Sequence, residues 1–433
     1  MKNATSRFFP IRLLIVSLLL LSNTVSAEEM VYLDITSPAA RKFSLAVPAF
    51  ASQYAQDQQA PLGRELADIL GRALQFHGIV SVLPAKSYGD SQTADWTGLG
   101  VDYVILGQYS AATGSLALQL RLLDVTSGSI LMGKAYNGPV SQKDEMLFRF
   151  CDNVIKELTG EQGIAWSQIA FVSQNNKVKE AFITDILGRH FRQVTRHHNL
   201  VVSPRFTPDG LFLSYSSYHS GNQYLYITDL RQSETTHALS RRPGMNLAPA
   251  WAPDGRTMIV TLSINDNPDL YLMDNHGNIL EQLTKNEGAN VSASYSSDGG
   301  RIVFVSDRSG KPQLYLMDLA RKNVQRLTFT GSENAEPDWS PKEDLIVYSS
   351  LIDGLYQICT IKPDPEAAPT QLTKDQTRNE QPAWSPDGNQ IVFSKLKGGV
   401  YKIYVMLKDG TFERQLFSYP GSQSFPRWAR RPE

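Results

Sequence analysis

A box of the form Pro-x-Trp-Ser-Pro-Asp-Gly recurs at near-constant spacing towards the end of this chain, and that spacing limits the fold more than any other feature. The best copy runs from Pro382 to Gly388, and related copies begin at Pro204, Pro249, Ala293, Pro337 and Pro426, in steps of 45, 44, 44, 45 and 44. Motif-bearing units of about 40–50 residues are the mark of propeller blades. Behind each of the first five boxes comes a β-rich run (211–215, 258–261, 302–305, 345–349, 391–394), then a second (224–229, 270–274, 314–318, 355–361, 401–406). A third short strand closes each unit, as in Gln282-Leu283-Thr284 and Gln371-Leu372-Thr373. A box and three strands make a four-stranded blade. The box at Pro426 has no strands behind it, whereas 169–173, 182–185 and 193–195 have strand character and no box in front. The halves complete one another. The expected fold is an all-β six-bladed β-propeller whose last blade joins both ends of the domain, leaving no open sheet edge in the ring.

The motif reads as structure. Proline starts a strand where its missing N–H does no harm, the aromatic fills the seam between blades, and Asp-Gly supplies the positive φ of a tight turn. Burying a Trp such as Trp251, Trp339 or Trp384 removes roughly 150–250 Å² from water, on the order of 4–6 kcal/mol as an upper bound. The copies have drifted: Phe206 and Tyr295 replace Trp, and Lys342-Glu343-Asp344 replaces the turn in the Pro337 copy. Drift of that kind suits scaffold residues better than catalysts.

Residues 1–27 read as a secretory leader, with Lys2, Arg7 and Arg12 before the apolar run 13–21 and Val25-Ser26-Ala27 fitting the small-x-small cleavage rule. Cleavage is expected after Ala27, with no Cys behind it to carry a lipid. The apolar run falls short of the roughly 20 residues of a spanning helix, so an exported protein with no membrane span of its own is expected. From 28 to 164 the pattern is a small α/β domain, with strands at 30–35, 43–48, 79–83, 102–107, 116–125 and 130–136 and helices at 62–76 and 142–158. The propeller is expected over 165–433, behind a short linker at 160–165. Cys151 and Cys359 would have to join two domains to bridge, so two buried free thiols are expected. A formal net charge of -1 with interspersed signs argues against a nucleic-acid face.

No active-site constellation emerges. The chain has no Gly-x-Ser-x-Gly elbow, His-Glu-x-x-His, phosphate loop, Cys-x-x-Cys or dinucleotide fingerprint. His197 and His198 are adjacent, so in a strand they would face opposite ways and read as a polar loop, not a shared metal site. With no acid, base and nucleophile converging, no catalytic residue, metal or cofactor is assigned, and binding is the better class.

Leader, small α/β domain and six repeats of Pro-x-Trp-Ser-Pro-Asp-Gly, Ile-Val-Phe-Ser, Leu-Tyr-Leu-Met-Asp and Gln-Leu-Thr together resemble the TolB family of Tol-Pal systems, over essentially the whole chain. The resemblance implies a periplasmic, non-enzymatic adaptor that binds the peptidoglycan-associated lipoprotein Pal and communicates with TolA and other Tol envelope proteins. It further implies a role in outer-membrane integrity and constriction during cell division. It places the Pal-binding face on the segment leading into each innermost strand, here Met245, Asn246 and Ala248, then Asn290 and Val291, though Met245 and Val291 stand where some relatives are polar.

The repeats add a ring to that face, because an Asn stands three residues before the Pro position in four consecutive units: Asn246, Asn290, Asn334 and Asn379. Those amides either hydrogen-bond a partner's backbone at one mouth of the channel or cap their own turns. Loops at 219–222, 265–268, 308–312 and 397–399 open on the same side. In relatives the mature N-terminal residues bind TolA, which carries over onto the tract from Glu28, with Val31, Leu33 and Ile35 alternating as a strand would. The alternation suits addition to a partner's sheet and equally an edge strand of its own domain. The other class left open is a propeller enzyme, or a sugar- or peptide-binding module, with its ligand in the central channel.

Overall fold

Each box becomes part of the innermost strand of a four-stranded antiparallel sheet, and six such sheets close into a β-propeller. The computed structural model describes residues 42–53, 60–89, 92–231, 235–264 and 266–431. The leader, the strand expected at 30–35 and the tract residues Glu28, Val31, Leu33 and Ile35 lie outside the described residues. Blade 1 runs outward as Val201–Phe206, Phe212–Ser217, Tyr224–Asp229 and Thr236–Ser240. Blades 2 to 5 repeat that order from innermost strands Asn246–Trp251, Asn290–Tyr295, Asn334–Trp339 and Asn379–Trp384. Blade 6 is composite: Ser422–Arg430 lies innermost, followed by Ser167–Asn175, Val178–Thr184 and Phe191–Gln193. Ser422 pairs with Gln174 and Arg430 with Ser167, so this strand shuts the ring.

The proline of the box does not start its strand. It sits inside, at a bulge where all six innermost strands break register, as between Leu247 and Ala250 or Ala335 and Asp338. The residue before it takes a positive φ: 52° at Ser203, 55° at Ser292, 54° at Glu336, 60° at Gln381 and 54° at Phe425. A bulge already forfeits a ladder hydrogen bond, so a residue without N–H fits there. The turn behind the box is a hydroxyl clasp: Ser385 Oγ donates to Asp387 Oδ1 (2.5 Å) and accepts from Gln390 N (2.9 Å), with Gly388 at φ 71°. Thr207 with Asp209 and Ser296 with Asp298 repeat it.

The tryptophans fill the seams as expected. Trp339 packs on Val303, Val305 and Leu314 of blade 3, and Trp384 on Val347 and Ile358 of blade 4. Each ring is 4 % exposed. Trp251 Nε1 donates to Ser214 Oγ of blade 1 at 3.0 Å, and Trp384 Nε1 to the Asp338 carbonyl of blade 4 at 3.1 Å.

In front of the ring lies an α/β layer. Strands β1 (Phe43–Ala46), β2 (Ala51–Ser52), β3 (Val80–Val82), β4 (Tyr103–Ala112), β5 (Ser115–Asp124) and β6 (Ile130–Pro139) form one mixed sheet in the order β3-β1-β4-β5-β6, with β2 beside β4. Helices α1 (Ala60–Phe76) and α2 (Lys143–Thr159) cover one face with apolar stripes, Leu66, Ile69, Leu70, Ala73 and Leu74 on the first and Met146, Leu147, Phe150, Val154 and Ile155 on the second. Gly160, left-handed at φ 77°, ends α2 by returning its N–H to Lys156 O at 2.8 Å. The apolar core is continuous with the ring: Leu74, Phe150 and Ile155 share one cluster with Val392, Ile403 and Trp428. The end of α1 locks on, since Phe76 meets Trp428 edge-on at 5.7 Å while its carbonyl accepts from Gln390 Nε2 (3.1 Å) and Arg414 Nη2 (3.0 Å). Both cysteines are buried and free. Among the described residues no helix is long and apolar enough to cross a membrane.

Candidate partner-docking face

The α/β layer touches turns between first and second strands and between third and fourth strands, through pairs such as Lys342–Glu161 (3.2 Å) and Arg189–Asp144 (2.6 Å). The opposite face carries the loops between second and third strands and the segments leading into each innermost strand. Four of the molecule's exposed large apolar side chains stand there: Leu200 (38 %), Ile264 (38 %), Phe329 (63 %) and Val400 (39 %). Met245, Leu247 and Val291 are half-buried near the channel mouth. Apolar groups from five blades thus ring one opening, the pattern of a surface that a partner covers.

The four asparagines are brought together at that mouth, one opening each innermost strand, but their side chains are wholly buried. Asn246 Nδ2 donates to the carbonyls of Gln223, Arg242 and Gly244 at 2.8–3.1 Å, and its Oδ1 accepts from Ser240 Oγ. Asn290 Nδ2 donates to Asp269 Oδ1 (3.1 Å) and Gly288 O (2.9 Å), while Arg308 Nη2 donates to its Oδ1 (2.9 Å). Asn334 and Asn379 bind Gln313 Oε1 and Gln357 Oε1 in the same way. Of the two roles left open by the sequence, the amides perform the cap. Ala248 lies in the blade 2 strand beside them. Sequence reasoning missed Gln423, which fills the equivalent place in blade 6, donating to Tyr419, Pro420 and Gly421 carbonyls. Its three-residue offset from Pro426 was the available signal.

The channel below the mouth is charged. A cavity of about 460 Å³ on the axis is lined by residues of all six boxes, among them Arg205, Asp338 and Arg427. Burial pushes Asp338 up to about 6, against its bond from Trp384 N and the pull of Arg205. Burial likewise pushes Glu336 up to about 7, although Gln381 N (2.8 Å) and Ser349 Oγ (3.1 Å) both donate to it. Arg205 is driven down to about 10 by the same desolvation. These carboxylates stitch blades: Glu336 of blade 4 holds the blade 5 bulge, and Asp338 holds the Trp384 backbone at 2.8 Å.

His197 and His198 do not share a site. His198 sits at φ 53° with its N–H on Glu180 Oε1 (2.7 Å). His197 packs against His219 with the rings tilted, 4.3 Å between centroids, and shares a hydrogen bond with Ser217 Oγ, and burial, then His219, lowers its pKa. A second grouping was not foreseen: Cys151, His77 and Asp152 lie together, with Sγ and Nδ1 4.0 Å apart. They form a pin between α1, α2 and the linker. His77 Nδ1 meets Ala73 O (2.9 Å), its Nε2 accepts from Ile164 N (3.1 Å), and Asp152 accepts from the N–H groups of Ala165 and Trp166. Burial raises the Cys151 thiol well above its ordinary value and leaves no exposed surface, so this sulfur is no nucleophile. Among the described residues no group of three or more His, Cys, Asp or Glu could hold a metal ion.

Comparison with known proteins agrees with this architecture at both ends of the chain. A model of the TolB amino-terminal domain matches residues 31–131, and a model of the TolB beta propeller domain matches residues 155–431. The chain belongs to the TolB family. The Tol-Pal system protein TolB of Desulfotalea psychrophila is 57 % identical to this TolB-family chain over 404 residues, 93 % of one and 92 % of the other. That of Desulfosudis oleivorans is 34 % identical over 285 residues, 63 % of this chain and 64 % of that protein. The crystal structure of TolB from Acinetobacter baumannii superposes with a TM-score of 0.79 at 27 % identity, covering 90 % of this chain and 97 % of that one.

Proposed function

We propose that this TolB-family chain is a non-enzymatic adaptor of a Tol-Pal system, working in the periplasm after removal of residues 1–27. It docks Pal on the propeller face around Met245, Asn246, Ala248, Asn290, Val291, Asn334 and Asn379, and engages TolA through the tract that holds Glu28, Val31, Leu33 and Ile35. In that role it supports outer-membrane integrity and cell division. The observation that carries the reading is the ring of apolar side chains, Leu200, Ile264, Phe329 and Val400, on the face turned away from the α/β layer. The relatives' names, Tol-Pal system protein TolB, add the system.

Because the asparagine side chains are internal, the test belongs to their exposed neighbours. Ile264→Asp and Phe329→Asp should each weaken capture of Pal from detergent-solubilised outer membrane by at least tenfold, with melting temperature unchanged. Undiminished capture by both would remove Pal from this face. The alternative, a small ligand in the axial cavity beside Arg205 and Asp338, predicts instead that capture survives both substitutions and that Arg205→Met abolishes ligand-induced thermal stabilisation.

A further inference from the structure

In five of the six blades, one interior position carries an aromatic side chain on the third strand: Tyr226, Tyr271, Tyr315, Tyr404 and Phe182, each paired with the matching residue of its second strand. Blade 4 has Cys359 there, opposite Tyr348. A cavity of about 520 Å³ opens beside it, at the rim of the proposed docking face, lined among others by Gly331, Tyr348, Ser350, Ile352, Asp353 and Cys359.

The sister blades show what belongs in that space. In blade 3 the Arg308 guanidinium lies 5.6 Å from the Phe304 ring and 5.0 Å from Tyr315. There it donates to Ser306 Oγ (3.0 Å), Asn290 Oδ1 (2.9 Å) and Glu287 Oε2 (2.6 Å). In blade 5 the Lys395 ammonium lies over Tyr404 at 5.3 Å, bound to Asp375 and Glu413. In blade 1 the paired His197 and His219 rings lie against Tyr226, and in blade 6 Tyr419 lies against Phe182. Strand register maps Ser306 onto Ser350, Asn290 onto Asn334 and Phe304 onto Tyr348, while Ile352 stands where Arg308 would be. One acceptor remains without a donor: Asn334 Oδ1 is buried and unpartnered, as Asn379 Oδ1 is in blade 5, and it lies against Gly331 of the cavity wall, 3.2 Å from where a Cβ on that glycine would sit. Among the described residues Asp353 is the one charged residue of the lining.

We propose that the blade 4 cavity is a socket for a guanidinium group, an arginine side chain presented by the docking partner. It takes in trans the place that Arg308 takes in cis one blade earlier. The aromatic wall of Tyr348, the hydroxyl of Ser350, the free amide oxygen of Asn334 and the carboxylate of Asp353 supply the face and the acceptors that a planar, donor-rich cation needs. This rests on the docking reading for the partner's identity, but the socket's chemistry stands apart from it.

The test uses the full chain with ¹³C-labelled isoleucine δ1 methyls, following Ile352 while N-acetyl-arginine methylamide is added, with the citrulline analogue as the uncharged isostere. A saturable shift is expected with the arginine probe, at least tenfold weaker with citrulline, and absent in Cys359→Tyr, which restores the ring of the other blades. His197→Arg, remote from the cavity, should leave the titration unchanged. Should Cys359→Tyr fail to fold, a probe series on Tyr348→Leu reads the same loss through the aromatic wall. No shift with arginine, or equal affinity for citrulline, overturns the socket. If the probe binds but Cys359→Tyr captures Pal as tightly as the wild type, the partner's arginine is refuted while the docking face stands. Failure of the wild type to capture Pal removes the docking reading, and the methyl titration still decides the socket.

Discussion

Replacing Glu336 by Gln keeps the acceptor that Gln381 N and Ser349 Oγ use and removes the charge. The carboxyl rises from 4.5 to about 7 on folding, chiefly through desolvation, with Glu380 adding repulsion. An acid whose value rises on folding favours the native state most when protonated. Its contribution is therefore complete below the unfolded value and is lost as pH climbs through the folded one. Between 4.5 and about 7 the loss is at most about 3 kcal/mol, and water in the channel beside this half-buried side chain reduces it to about 1–2 kcal/mol. At about 2 °C per kcal/mol for a ring of this size, Glu336→Gln should melt about 2–4 °C above the wild type at pH 8. Most of that advantage should vanish at pH 5. Thermal melts of both proteins by circular dichroism at the two pH values decide the matter. An equal offset at both pH values, or a variant less stable at pH 8, would refute the claim that the ring encloses a reluctant charge.

Deleting 422–431 removes the strand that pairs with Ser167–Asn175 and should abolish the single cooperative melt; retention of the wild-type transition would show that five blades close without it. Asn246→Ala strands the groups that its amide now satisfies and should cost about 1–3 kcal/mol in urea titrations, with Asn290→Ala behaving alike; a neutral result would contradict the capping role. His197 is lowered by burial and by His219, so its contribution is complete above its unfolded value and is lost as pH falls through the folded one. His197→Gln should flatten the acid limb of the stability profile, and an unaltered limb would count against the His197–His219 pair.

The ring was legible in the sequence because the box repeats at the length of one blade, and the orphan box at Pro426 met the orphan strands of blade 6 as expected. Less was visible where one blade borrows from another. The strands expected at 182–185 and 193–195 end earlier, at Thr184 and Gln193, and the hairpin at Asn176, φ 57°, starts the third strand of blade 6 at Val178, ahead of the expected position. The bulge was hidden because Ser203, Glu336, Gln381 and Phe425 take its positive φ without a glycine to announce it. The Asn positions were found, but whether an amide points outward or back into its own loop depends on carbonyls 2 to 23 residues away, as at Asn246. His219 as the partner of His197, and the void beside Cys359, emerge only from strand register.

The pairing of Trp428 with Ile169 joins positions more than 250 residues apart, as does the bond from Trp428 Nε1 to Ser167 Oγ. A nascent chain cannot form that contact until residue 428 has been made, and ordering so long an intervening segment is slow. Until then Phe171 and its neighbours lack their cover, and an unsatisfied strand is open to proteases and to copies of itself. Surveillance of this molecule therefore has one natural checkpoint, the arrival of the strand Ser422–Arg430, and substitutions there should act on yield before they act on affinity.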